Sequence, residues 1–294
     1  MNAYLSGVGF SNVKNRQALE KLMQDTFDHH SLKYSFYSED GRPLMEYSKY
    51  YAVHCGLTVV GELDGEGVFC PEYAYPFYNG DEVSLNEEVN IEPQTSKDAY
   101  SAICEDPRMG ISLIFYLSNI GEYCELRERG FEKEKAERKI VSLSGIAMNG
   151  TILLPLYRRE RPKNSQRDAA LVRKKMMNAS SDEDWEAAEN RAEEALNTYN
   201  MLSRRIVSED ILSIVETSLI PCGVECDQYN ILGTIRRCET TRNIYSGDEL
   251  YLMAVECNHI LFNICVNSKD LWGEPEVGRR FKGRIWLQGE VGII

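Results

Sequence analysis

The sequence predicts an α+β protein, mainly antiparallel sheet, with an N-terminal helix and a central helical hairpin. Three observations carry this. β-Rich runs are punctuated by Asp-Gly and Asn-Gly pairs, one early segment has helical periodicity, and the composition changes abruptly between 158 and 207. The chain has 294 residues, of which 43% are hydrophobic and 27% charged. That is enough chain, with an ordinary enough composition, to bury a sizeable core, and it excludes a disordered or fibrous protein.

Residues 4–10 read as a short opening strand. In residues 14–30, Leu19, Leu22, Met23 and Phe27 recur at helical spacing and predict one amphipathic helix. Apolar and aromatic runs at 33–37, 44–54, 57–63 and 67–78 come next, set off by Asp40-Gly41, Asp64-Gly65 and Asn79-Gly80. Such pairs favour the positive φ of tight hairpin turns, so the segment reads as an antiparallel meander. Residues 81–110 are irregular, and 111–117 read as a strand or as the start of a buried helix. Charged residues at 125–139 suggest a solvated helix end or hairpin arm. Residues 139–148, Asn149-Gly150 and 151–157 read as the clearest hairpin, with Pro155 favouring an edge strand or a strand end.

Between 158 and 175, eight basic residues face only Glu160 and Asp168, whereas 182–194 are almost wholly acidic. Ser180 and Glu183 form a capping box, and Trp185, Ala188, Ala192, Ala195, Tyr199 and Leu202 lie on one helical stripe. A helical hairpin at about 163–204, its basic arm facing its acidic arm, accounts for both charge blocks. Strands resume at 213–219, 230–238, 250–256, 260–266 and 279–287. The domain reading is a β-rich part at 1–160, the hairpin at 161–206 and a β-rich part at 207–294, the two β-rich parts being either separate or continuous. A strand-helix-strands order at 4–78 is echoed at 111–157, which suggests duplicated β-α-β-β-β units around a shared sheet.

The formal net charge of −13 repels phosphate backbones and anionic lipid, which argues against nucleic acid and membrane as partners. The basic stretch reads as paired within the hairpin. No N-terminal signal pattern is present, and the longest apolar run, 111–117, is too short to span a bilayer, so a cytoplasmic location is expected. Nine scattered cysteines suit a reducing compartment, where they pack as small hydrophobes. Cys222 and Cys226 lack a second ligand pair, so neither metal nor cofactor is expected. Gly7-x-Gly9-x-x-Asn12 lacks the third glycine of a dinucleotide fingerprint and reads as a turn into the first helix.

Candidate chemistry is sparse. His29 and His30 end the first helix, while His54 and His259 lie on or beside strands. Cys55 or Cys257 with a distant histidine would make a nucleophilic site assembled only in the fold; packed or turn residues are the plain alternative. Eight of 17 tyrosines fall between 34 and 78. Tyr73, Tyr75, Phe77 and Tyr78 flank Pro76, and they read either as the lining of a groove for a peptide or small molecule or as a packed corner. On the last strand Phe281, Ile285 and Leu287 share one face. Lys282, Arg284 and Trp286 share the other, with Trp286 as an exposed anchor.

The opening run 4–10 and the closing run 273–289 resemble an uncharacterised bacterial family of about this length, a domain of unknown function. The resemblance implies a cytoplasmic bacterial protein and carries no activity or site residues. The resulting expectation is a non-catalytic binding or regulatory protein, using the aromatic residues or the hairpin to take a protein or small-molecule ligand, with self-association through a sheet edge or the hairpin compatible with it. The alternative is an enzyme whose Cys/His or carboxylate site forms only in the fold.

Overall fold

In the computed structural model the alternating runs become two sheets. The structure describes residues 3–38, 41–93, 99–106, 111–128, 139–155, 216–224 and 226–292. By internal contacts the chain divides into one unit of Met1–Leu154 with Thr217–Ile294 and another of Pro155–Glu216. The expected helical hairpin lies outside the described residues, and both sheets belong to the first unit. That unit is mostly sheet, with two α-helices among the described residues. The α+β expectation therefore becomes a mainly-β fold.

The opening segment is a 3-10 turn, Ala3–Val8, rather than a strand. Its bonds close locally, as Phe10 N–H donates to Leu5 O at 2.9 Å, and Tyr4, Leu5, Val8 and Phe10 are all buried. Helix α1, Arg16–Asp28, starts where the Asn15 side chain accepts from Ala18 N–H at 2.8 Å. Strands β1 (Leu32–Tyr37), β2 (Pro43–Ala52), β3 (Cys55–Leu63) and β4 (Phe69–Tyr78) form a four-stranded antiparallel sheet in chain order. In the β3–β4 turn the positive φ falls on Gly67, while Asp64 Oδ1 accepts from the N–H groups of Glu66 and Val68.

The second sheet has eleven strands. They are β5 (Leu85–Glu87), β6 (Val89–Pro93), β7 (Tyr100–Asp106), β8 (Ile111–Leu117), β9 (Lys139–Leu153), β10 (Ser218–Pro221), β11 (Gln228–Arg242), β12 (Glu249–Cys257), β13 (Ile260–Asn267), β14 (Leu271–Trp272) and β15 (Arg280–Gly292), with helix α2 (Ile120–Glu128) between β8 and β9. Five of these close a ring. Thr234 of β11 pairs with Glu256 of β12 and with Arg280 of β15, and β12–β13, β13–β9 and β9–β15 complete the circuit. The pair β13–β9 is parallel; the other ring pairs are antiparallel. Ile235, Val255, Phe262, Ile264, Phe281, Ile285 and Leu287 share the inner face and are fully buried. Closing the ring removes its sheet edges and fills its interior with side chains.

The expected hairpin at Asn149-Gly150 is instead one continuous strand, β9. Opposite β15 the register steps from Asn149 to Ala147, so Met148 forms a bulge. Gly150 serves packing rather than a turn, since a Cβ there would lie 2.4 Å from the Phe281 ring. The expected duplicated units do not share a sheet either. Residues 32–78 form the meander alone, and β8 and β9 belong to the other sheet.

The meander rests on the outer face of the barrel. Gln288 Nε2 donates to Pro76 O at 2.8 Å and its Oε1 accepts from Tyr78 N–H at 3.2 Å, while Gly80 N–H donates to Ser144 Oγ. Buried Cys55 and Cys265 meet with their sulfurs 3.5 Å apart.

Candidate functional site

Side chains alternate along a strand, so Glu46, Ser48 and Tyr50 of β2 share one face of the meander. Cross-strand pairing adds Tyr34 beside Glu46, Leu32 and Thr58 beside Ser48, and Phe77 near Tyr50. Solvent would cover such a face, but here α2 and the end of β15 lie over it. Ser118 N–H and Oγ both donate to Gly289 O, at 3.0 and 3.1 Å. Asn119 Nδ2 donates to Val291 O at 3.1 Å, and its Oδ1 accepts from Val291 N–H. These bonds fix the start of α2 against β15. They bring Glu122 and Glu290 to the same cleft as Glu46. Gly121 allows the approach: a Cβ there would lie 2.5 Å from Tyr34 Cβ.

The cleft has a volume of about 50 Å³. Glu46, on its wall, is only 3% exposed. Burial pushes its carboxyl up to about 8; the Gly121 N–H that it accepts pulls the other way, and the Glu122 charge adds to the rise. Burial likewise pushes Glu290 up to about 7, with Glu122 adding to it. Among the described residues Glu46 Oε2 and Asn79 Oδ1, both buried, have no hydrogen-bond partner. Buried acceptors of this kind are costly and uncommon. Burial thus favours the protonated form of both carboxyls, Glu46 the more strongly, and leaves Asn79 Oδ1 as an unfilled acceptor.

The residues singled out from the sequence lie mostly elsewhere. Tyr75, Phe77 and Tyr78 are each 3% exposed and Trp286 is 9% exposed, while Tyr73 is half-buried. The aromatic run is thus a packed corner, not an open groove, because α2, β8 and the barrel cover the face that β4 presents. Tyr73, Tyr75, Tyr116, Trp286 and Tyr4 form a line of rings with centroids 4.9–6.2 Å apart. Trp286 is not an exposed anchor: its Nε1 donates to Asp227 Oδ2 at 2.7 Å. Of Tyr73, Tyr75, Phe77, Tyr78 and Trp286, Phe77 alone lines the cleft.

The Cys/His candidates are not assembled. His54 and His259 occupy turns at positive φ, beside Asp81 at 3.2 Å and Glu256 at 3.5 Å. Cys55 packs on Cys265, and burial pushes the Cys257 thiol up to about 12, far from a reactive thiolate. Among the described residues no three His, Cys, Asp or Glu side chains converge as a metal's ligand set. Nor is any described helix long and apolar enough to cross a membrane.

Glu46 was hidden because it alternates with Tyr47 as a solvent-facing residue would. One signal was legible: Tyr50 and Tyr51 are adjacent, so an aromatic points to each face and both faces need covering.

No curated protein and no solved structure matches the chain. A family model, described as a domain of unknown function from an E. rectale gene (DUF3881), matches residues 5–289. Because that match takes in both the meander and the barrel, and with them every residue of the cleft except Glu290, the chain belongs to this bacterial family of unknown function.

Proposed function

We propose that the protein binds a small polar ligand in the cleft between the meander, α2 and β15, as a binding rather than a catalytic protein. One observation carries the reading: a carboxyl buried to 3% exposure opens on a cavity with one oxygen unpartnered. A structural carboxyl at such a position is normally satisfied, and an unsatisfied one costs stability that a bound molecule recovers. Free thiols at all nine cysteines are in keeping with a reducing, cytoplasmic setting. The excess of acidic residues is in keeping with a ligand other than nucleic acid.

The test is a panel of small amines, carboxylates and alcohols, followed through the backbone amide signals of Gly121 and Asn79. At least one probe is expected to move these signals in the natural protein and not in Glu46→Leu, which fills the cavity with an apolar side chain. A panel that moves neither signal overturns the reading.

A further inference from the structure

The cleft's own chemistry selects a ligand class, and this inference rests on the binding reading above. Its described lining carries three carboxyls from three elements, Glu46, Glu122 and Glu290, and no Lys or Arg. Elsewhere in the fold acids, buried and exposed alike, meet cations. Asp25 lies 2.7 Å from Lys49 Nζ, Asp248 pairs with Lys269, and Arg42 joins Glu62 and Glu72. Among the described residues none of the three cleft carboxyls has an ion-pair partner. What the cleft lacks is positive charge.

Two of its buried oxygens also lack a donor, although hydroxyls and amides line the cleft around them. Once Glu46 is ionised its Oε2 is an acceptor, as Asn79 Oδ1 is, and the ligand that satisfies both brings N–H groups pointing in more than one direction. The acids do not converge as metal ligands, which sets aside a bare divalent ion. A volume of about 50 Å³ admits one small head group. Leu32 and the Phe77 ring provide an apolar wall on which a methylene can rest.

We infer that the cleft captures a primary alkylammonium group, with its N–H donors on Glu46 and Asn79 and its charge shared with Glu290 and Glu122. Capture is coupled to proton release. The groups facing Glu46 are Tyr34 on β1, Tyr75 on β4, Tyr116 on β8, Glu122 and Cys124 on α2, and Glu290 on β15. All are neutral or acidic, so no protein cation holds the Glu46 carboxylate in its charged form. An arriving ammonium ion does so, and Glu46 gives up its proton to solvent. With the carboxyl at about 8 in the empty cleft, affinity rises with pH until Glu46 is ionised. An alkylamine stays protonated over that range.

The experiment titrates the full chain with propylamine, propionate and 1-propanol at pH 6.5 and 8.5, by calorimetry in two buffers of different ionisation heat and by the Gly121 and Asn79 amide signals. Propylamine is expected to bind roughly twentyfold tighter at pH 8.5 than at 6.5, with buffer-dependent heat reporting the released proton. In Glu46→Gln binding at pH 8.5 should weaken at least tenfold, and the pH dependence should shrink to the few-fold part set by Glu290. Glu290→Gln, which leaves the Glu46 carboxyl in place, should weaken binding while keeping the dependence set by Glu46. Binding of propionate or propanol without propylamine overturns the ammonium assignment and leaves the cleft a ligand site. Propylamine binding that is independent of pH, or unchanged in both variants, also overturns it. If none of the three moves either signal, the assignment fails, and if the wider panel is silent too, the binding reading fails with it.

Discussion

Among single residues, Glu46 shows how burial changes the meaning of a side chain. Its ordinary value is 4.5 and its folded value about 8. A folded value raised above the unfolded one means that the native state keeps a proton the unfolded chain releases. The associated stability is complete below 4.5 and is lost as pH rises through about 8. Each pH unit in that window costs about 1.4 kcal/mol for a single group. Glu46→Gln should therefore match the natural protein near pH 4.5 and exceed it in stability by roughly 3–5 kcal/mol at pH 8.5. Denaturant unfolding across that range checks it, and a difference constant with pH would refute the raised value. On β2 Glu46 alternates as a solvent-facing residue would, and nothing local in 43–52 distinguishes a residue under water from one under a helix.

Among the elements, glycines and amides separate what the local pattern predicts from what packing uses. Asp40-Gly41 falls in sequence between the antiparallel strands β1 and β2, with Gly41 at positive φ, as the turn chemistry of such pairs suggests. Asn149-Gly150 is a pair of the same kind with a different use. Phe281 arrives from β15 and occupies the space above Gly150, so the pair stays extended and the irregularity moves to Met148. Gly150→Ala should cost about 1–3 kcal/mol through overpacking against that buried ring. Phe281→Leu in the same background should recover part of the loss, and unfolding midpoints of the two variants test it. A Gly150→Ala protein as stable as the natural one would show that the ring is not confined there. The aromatic run at 73–78 behaves in the same way: residue type forecast a strand with awkward hydroxyls, while its burial depended on β8 and β15.

For the whole unit, the barrel is closed by strands far apart in the chain. β9 must await β15, more than a hundred residues later, before both of its edges are paired. The meander, by contrast, is closed by neighbours in sequence. The two are tied through few polar contacts, and Gln288, fully buried, makes two of them by holding the backbone of Pro76 and Tyr78. Gln288→Ala leaves those backbone groups without partners and should destabilise by roughly 2–4 kcal/mol. Hydrogen exchange at the Tyr78 amide should accelerate more than at barrel amides such as Ile264; equal protection loss in both would show that meander and barrel unfold as one. The features legible in the amino-acid order are local. The strand-rich composition, the C-terminal strands, the amphipathic first helix and the meander all follow from period, propensity and turn chemistry within a few residues. Long-range packing alone settled that the ring closes, that Asn149-Gly150 stays straight, that Trp286 and the tyrosines go inside, and that three carboxyls from β2, α2 and β15 meet in one cleft. Those outcomes depend on which distant segment covers which face, and a strand's pattern records that a face is apolar or polar but not what comes to lie on it.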